Sequence, residues 1–252
     1  MATWIGLIIM TSRDFIECER NSEIAIIRLN RPRALNALSQ QMMGELLSYL
    51  DKVQADPTIR GVVISSTSER AFSAGADTKE IATLSRNEFL LANRRGAEVF
   101  QRIEEYPLPV AAAIRGFALG GGLELALACD FRFADETAVV GLPEVLVGFI
   151  PGWGGIRRLS AIVGVAKAKE LVLKAVKLDA HEAHRLGLFT SLPAANPEEA
   201  AVAQLRELPA TASASVAHIK HLFSRIIDES DSASVSTMFV AELIDRDRRS
   251  DS

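Results

Sequence analysis

Val110-Ala-Ala-Ala-Ile-Arg-Gly-Phe-Ala-Leu-Gly-Gly-Gly-Leu-Glu-Leu-Ala-Leu-Ala-Cys-Asp-Phe-Arg-Phe-Ala134 is the stretch on which the fold turns. Val110 to Ile114 reads as a strand and Gly116 to Gly122 as a glycine-rich loop. Leu123 to Cys129 reads as an apolar helix, and Phe131 to Ala134 as a returning strand. Strand, glycine turn, helix and strand in that order point to an α/β core.

The pattern continues towards the N-terminus. Residues 15–30, FIECERNSEIAIIRLN, alternate in part and carry Asn21-Ser22 in the middle, which predicts two strands joined by a turn. Pro32 ends the second strand, because proline cannot donate to a ladder. Apolar residues at Met42, Met43, Leu46, Leu47, Leu50 and Val53 have helical spacing over residues 39–55, with Ser39 as N-cap. Gly61 to Ser65 reads as a buried strand and residues 85–105 as a helix ending before Pro107. Towards the C-terminus, residues 155–174, 179–186, 196–207, 210–228 and 233–247 read as helices. An α/β core is therefore expected over residues 1–192 and a helical region over 193–252, with no sequence repeat of 20–50 residues.

Composition narrows the classes. The 252 residues are 48% hydrophobic, 24% charged and only 6% aromatic, which excludes a disordered chain, a collagen and a coiled-coil rod. A chain this long buries roughly 70–75% of its unfolded surface and needs no disulfide or metal to fold. The 32 acidic and 28 basic side chains leave a formal charge of −4, against a general nucleic-acid surface. Two isolated cysteines, Cys18 and Cys129, fit a reducing compartment. The apolar run Trp4 to Met10 has no basic residue before it and is too short to span a bilayer. A soluble, cytoplasmic protein without membrane partners is expected.

Three glycine-rich stretches are the candidate sites: Ser73 to Asp77, Gly120 to Glu124 and Pro151 to Gly155. None closes on Gly-Lys-Ser/Thr, so none is a P-loop. Gly120 and Gly122 are followed by Leu125 where a dinucleotide fingerprint needs a third glycine. The middle stretch leads from a buried strand into a helix. Unpaired N–H groups at a helix N-terminus, approachable across glycines, can hold a developing oxyanion. A tight strand-to-helix turn packed on the core would look the same. Glu124 opens an otherwise apolar helix, where burial raises a carboxyl pKa. Taken alone, it reads more simply as a first-turn acid complementing the helix dipole. Glu144 follows Pro143, and the twenty residues between the two acids mean that only the fold could bring them together. His181/His184 and His218/His221 each share a helix face, but no third ligand is evident and both pairs read as surface histidines.

Read together, several motifs resemble the enoyl-CoA hydratase/isomerase (crotonase) family. They are Asn30-Arg-Pro32, Ala34-Leu-Asn-Ala-Leu38, Ala71-Phe-Ser-Ala-Gly-Ala-Asp77, Gly116-Phe-Ala-Leu-Gly-Gly-Gly-Leu-Glu-Leu-Ala126, Cys129-Asp130, Leu142-Pro-Glu144, Gly148-Phe-Ile-Pro-Gly152, Gly154-Gly155 and Ala183 to Leu188. Each is weak alone, and the ordered set over residues 15–190 is specific. The resemblance implies a spiral of repeated ββα units with a helical C-terminal trimerisation region, and a homotrimer or homohexamer. It implies that the thioester carbonyl accepts N–H bonds from Ala76 and Gly121. It implies that Glu124 and Glu144 hold the attacking water, one of them shuttling a proton, and that the Gly152 backbone contacts the same water. Coenzyme A contacts fall on Arg33, Ala34, Ala74, Ala76, Asp77 and Lys79, with Arg31 a further cation within reach of phosphate.

The expected reaction is hydration of a 2-trans-enoyl-CoA to a 3-hydroxyacyl-CoA, with an acyl-CoA as small-molecule substrate and no metal or redox cofactor. A 3,2-trans-enoyl-CoA isomerase is the alternative. It can work with one carboxylate near Glu144, so the presence of Glu124 favours hydration. A non-catalytic RNA-binding relative is a third reading, opposed by the intact carboxylates, the oxyanion glycines and the charge. Two departures from the family stand out. Trp153 takes a position that is usually small, and faces either the acyl pocket or a subunit contact. Most relatives continue into a Phe- and Lys-rich segment that closes over the coenzyme, whereas this sequence ends at Asp245-Arg-Asp-Arg-Arg-Ser-Asp-Ser252, which fits either a short protein or an incomplete chain.

Overall fold

The computed structural model describes residues 15–209 and 213–228. Strands β1 (Ile16–Asn21) and β2 (Ile24–Leu29) pair antiparallel across a turn in which Ser22 has a positive φ of 58°. Helix α1 (Gln40–Gln54) follows, its first turn capped by the Ser39 hydroxyl accepting the Met42 N–H. Strand β3 (Gly61–Ser66) lies parallel to β2. The next units repeat one plan. Each begins with a strand of the first sheet, continues into a three-residue strand of a second sheet, and ends in helix. Strand β4 (Ala71–Ser73) leads to α2 (Thr78–Ile81) and α3 (Arg86–Glu104). Strands β5 (Val110–Ile114) and β6 (Phe117–Leu119) lead to α4 (Gly121–Ala128). Strands β7 (Phe131–Ala134) and β8 (Val139–Gly141) lead to a 3-10 turn, Glu144–Val147. This is the spiral of ββα units. The sheets have the orders β1-β2-β3-β5-β7 and β4-β6-β8-β9, the last strand being Leu178–Asp179, and each mixes parallel with antiparallel pairs.

The first sheet is covered on both faces, which explains its nearly continuous apolar strands. Val62, Ile64, Val110, Ala112 and Ile114 join the main core with Met42, Leu46 and Leu50 of α1. The alternate residues Val63, Ala111 and Ala113 pack with Ile24, Ile26 and Phe133 against Ala201, Val202 and Leu205. Those last three lie on helix α8 (Pro197–Glu207). Helix α7 (Ala180–Arg185) precedes α8, and α9 (Ser213–Asp228) follows it. Lys220 of α9 is pinned to the core by Asp130 Oδ2 at 2.7 Å and the Leu108 carbonyl at 3.0 Å.

Two expectations change. The stretch 116–122 is not all loop, because Phe117–Leu119 forms β6 between β4 and β8. The single helix expected over 155–174 is two, α5 (Gly155–Val163) and α6 (Val165–Leu173). Gly164 between them has φ 78° and ψ 151°, which no α-helix accommodates. The apolar run at Trp4 to Met10 and the helix expected over 233–247 lie outside the described residues. Among the described residues no helix is long and apolar enough to cross a membrane.

Candidate active site

Two backbone segments meet at the start of α4. Ala74-Gly-Ala76 leaves the end of β4 and is held by Leu38, whose N–H donates to the Gly75 carbonyl at 2.8 Å and whose carbonyl accepts the Asp77 N–H at 3.1 Å. A Cβ placed on Gly121, the first residue of α4, would lie 3.4 Å from the Ala76 nitrogen, so the two amides are neighbours. Among the described residues neither N–H has a hydrogen-bond acceptor. The pair expected from the sequence is thus brought together with both donors unengaged, at the N-terminal end of a helix.

Glu124 sits in the first turn of α4 and is 2% exposed. Its Oε1 accepts the Trp153 and Gly155 N–H groups, each at 2.8 Å. Burial pushes the Glu124 carboxyl up to about 7, although those two amides and the Arg158 charge pull the other way. Glu144 starts the 3-10 turn, with Oε1 3.0 Å from where a Cβ on Gly120 would stand. Its Oε2 is buried and has no hydrogen-bond partner among the described residues. Burial, reinforced by the charge of Glu124, raises Glu144 to about 8. The two acids separated by twenty residues therefore sense each other, and both titrate near neutrality. A pair of this kind holds one proton more easily than none or two.

The turn after Pro151 closes the site. Arg158 Nη1 donates to the Trp153 carbonyl at 2.7 Å, and its Nη2 to Glu104 Oε2 at 2.7 Å. Arg157 joins the same Glu104 oxygen. Gly152 lies in this turn, the position expected to touch the attacking water, and a Cβ there would stand 2.7 Å from Asn93 Oδ1. Trp153 faces inward: its indole stands edge-to-face with the buried Phe100, ring centroids 5.3 Å apart.

The residues expected at coenzyme A form the outer side of this region. Arg33 and Lys79 are exposed, and neither side chain has a hydrogen-bond or ion-pair partner among the described residues. Ala34 ends a 3-10 turn, Pro32–Ala34, and Ala74 is exposed while Ala76 is half-buried. Asp77 is engaged by the protein itself. It caps α2 by accepting the Lys79 and Glu80 N–H groups and pairs with Arg31. Burial alone would raise the Asp77 pKa, but Arg31 and the two amides outweigh it and hold it below the ordinary value. Arg31, a cation considered for phosphate, is committed to that pair and to the Ala37 carbonyl. His181 meets Glu136 at 2.8 Å on the surface, and His184 lies beside the Phe189 carbonyl.

Asn36 had no assigned role in the sequence, and the site depends on it. It is fully buried at φ 52°. Its Nδ2 donates to Ser66 Oγ and to the Ala71 and Phe72 carbonyls, while its Oδ1 accepts the Arg31 N–H at 2.7 Å. It ties the 31–38 turn to β4, the strand that delivers Ala76. An asparagine in a short polar-apolar turn before a helix was the available signal, since asparagine tolerates positive φ.

The chain is similar to known proteins over most of its length. The profile of the family described as enoyl-CoA hydratase/isomerase matches residues 19–243. A short-chain-enoyl-CoA hydratase of Clostridium acetobutylicum is 40% identical over 174 residues, 69% of this chain and 67% of that one. A crotonyl-CoA hydratase of Syntrophomonas wolfei is 40% identical over 181 residues, 72% of this chain and 69% of that one. The crystal structure of an enoyl-CoA hydratase from Bacillus anthracis superposes with a TM-score of 0.80 at 34% identity, covering 90% of this chain and 89% of that one.

Proposed function

The chain belongs to the enoyl-CoA hydratase/isomerase family, and on that premise we propose that it adds water to a 2-trans-enoyl-CoA, giving a 3-hydroxyacyl-CoA. The observation that carries the reading is the presence of a buried carboxyl and a half-buried one, raised to about 7 and about 8, beside two unengaged amides. In this reading the thioester oxygen accepts N–H bonds from Ala76 and Gly121. Attack at C3 builds negative charge on that oxygen, and donors already aimed at it stabilise the transition state more than the ground state. One such donor is worth about 2.7–4 kcal/mol of barrier.

The coupled pair sets the proton traffic. Burial raises both carboxyls and the charge of Glu124 raises Glu144 further, so near neutral pH the pair holds one proton. The ionised member takes a proton from water as the hydroxyl adds to C3, and the protonated member gives its proton to C2. The substrate gains one hydrogen and one hydroxyl, and the pair still holds one proton. The exposed Arg33 and Lys79 meet coenzyme phosphates, while Ala34, Ala74 and Asp77 offer backbone contacts. A homotrimer or homohexamer is the expected assembly, supported by the exposed apolar Leu146, Val147 and Leu173.

Isomerisation between 3- and 2-enoyl-CoA is the second reading, favoured by the unpartnered Oε2 of Glu144, a single base able to move a proton between two carbons. Glu124→Gln separates the two. Hydration of crotonyl-CoA, followed at the conjugated thioester absorbance, should fall by about 10²–10⁴-fold, as for a lost acid–base group. Isomerisation resting on Glu144 should fall much less. Hydration within about threefold of the parent, less than any lost acid–base group allows, would replace the hydratase reading with the isomerase one.

A further inference from the structure

Trp153 bridges two helices across the inner end of the site. A Cβ on Gly121 would stand 2.8 Å from its Cε3 and nearer still to Cζ3, so the benzene edge of the indole rests on α4 at the residue that carries one of the two unengaged amides. The opposite edge rests on α3. A Cβ on Gly96 would stand 2.5 Å from Cε2 and 3.0 Å from Cδ1. The indole therefore fills the space between the two helices, and two glycines leave room for it. Phe100 meets it edge-to-face from the same helix.

The two helices confine the ring, and the backbone that carries it is anchored. The main-chain N–H of Trp153 donates to Glu124 and its main-chain carbonyl accepts from Arg158, which Glu104 holds. The indole Nε1 is buried and has no acceptor among the described residues. Such a group is costly, so its placement is fixed by packing and not by a hydrogen bond. Trp153 remains only partly buried, which leaves some of the ring open to a bound molecule.

We propose that Trp153 is the specificity-determining wall of the acyl pocket and confines the enzyme to short-chain 2-enoyl-CoA thioesters. The inference rests on the hydratase reading for its substrate, because an acyl chain whose carbonyl meets Ala76 and Gly121 starts directly beside the indole. A rigid wall penalises each surplus methylene, and one methylene changes discrimination by roughly 10–200-fold.

The test compares kcat/KM for crotonyl-CoA, 2-hexenoyl-CoA and 2-decenoyl-CoA in the parent, Trp153→Ala, Trp153→Phe and Gly96→Ala. Dissociation constants of the unreactive butyryl-CoA and decanoyl-CoA are measured on the same proteins by calorimetry. The parent should favour crotonyl over decenoyl by at least about 10-fold. Trp153→Ala should reduce that ratio by at least about 10-fold, with the same direction in the saturated ligands. Trp153→Phe should lie between. Gly96→Ala, whose new methyl presses the indole towards the substrate, should sharpen the discrimination against 2-hexenoyl-CoA. If Trp153→Ala does not fold, Trp153→Phe decides. A folded variant with the parent's chain-length ratio in both catalysis and binding overturns the inference and leaves the hydratase reading standing. A parent that binds butyryl-CoA selectively but hydrates nothing overturns the hydratase reading, and the binding ratios still decide the role of Trp153.

Discussion

Glu124→Gln should stabilise the protein at the pH where it disables it. The carboxyl is buried at 2% exposure and its Oε1 already accepts two amides. Glutamine keeps an oxygen there for both N–H groups and replaces the other oxygen with a neutral donor. What changes is the cost of charge. The folded-state pKa of Glu124 is raised from 4.5 to about 7. Between those values the folded protein binds more protons than the unfolded chain, so its stability falls as pH rises. At about 1.4 kcal/mol per pH unit, the full penalty above pH 7 is about 3 kcal/mol. The variant escapes it. At pH 5, only just above the unfolded-state value of 4.5, the penalty has only begun and the two proteins should unfold at similar temperatures. At pH 8 the variant should be more stable by up to about 3 kcal/mol, or roughly 6–12 °C in Tm. Removing the Glu124 charge also removes one cause of the raised Glu144 pKa, so the remaining titration should move down. The assay is thermal and denaturant unfolding of both proteins from pH 5 to 8 at one protein concentration, since assembly makes Tm concentration-dependent. A Tm difference between the two that does not grow with pH would refute the reasoning, because the buried carboxyl would then not be carrying an ionisation cost.

Two further outcomes are expected. Asn36→Ala removes the donor shared by Ser66 Oγ and the Ala71 and Phe72 carbonyls, leaves Ser66 Oγ with the Ser68 N–H and the Ala71 carbonyl with the Ser66 hydroxyl, and puts alanine at φ 52°. A loss of about 3 kcal/mol or more is expected from denaturant midpoints, accompanied by weaker turnover because β4 carries Ala76. Arg33→Ala with Lys79→Ala should raise KM for crotonyl-CoA about tenfold through lost charge-assisted phosphate contacts, and leave KM for the phosphate-free crotonyl-pantetheine unchanged.

The first sheet and its long helices were readable because their signals are local. Strands β1, β2, β3 and β5 are uninterrupted apolar or alternating runs, and the caps Ser39 and Ser85 stand where α1 and α3 begin. The second sheet left no comparable trace. Strands β4, β6 and β8 have three residues each, too few for a period, and β6 lies inside a glycine-rich segment. The break at Gly164 was also hidden, since a lone glycine in a helical pattern can be carried or can end the helix. The choice falls to its φ of 78°, set by how α5 and α6 pack.

The site divides along the same line, and the glycine triplet shows why. As a sequence, Gly120-Gly-Gly122 is a turn with an oxyanion cradle as one of its uses. In the structure each glycine excludes a side chain for a different neighbour. At Gly120, with φ 52°, a Cβ would stand 3.0 Å from the Glu144 carboxyl. At Gly121 it would strike the indole of Trp153, and at Gly122 the Ser73 carbonyl at the end of β4. Those three neighbours are the raised carboxyl of Glu144, the wall assigned to the acyl pocket and the strand that delivers Ala76. None is near the triplet in sequence, so no local pattern could separate their demands. It follows that a substitution at Gly121 cannot distinguish a lost oxyanion donor from a displaced Trp153, because one added carbon disturbs both. Gly96 touches the same indole from α3 without supplying an amide to the substrate. A methyl there would press the indole from its far edge towards α4, so Gly96→Ala alters the pocket through Trp153 and leaves Gly121 itself unsubstituted.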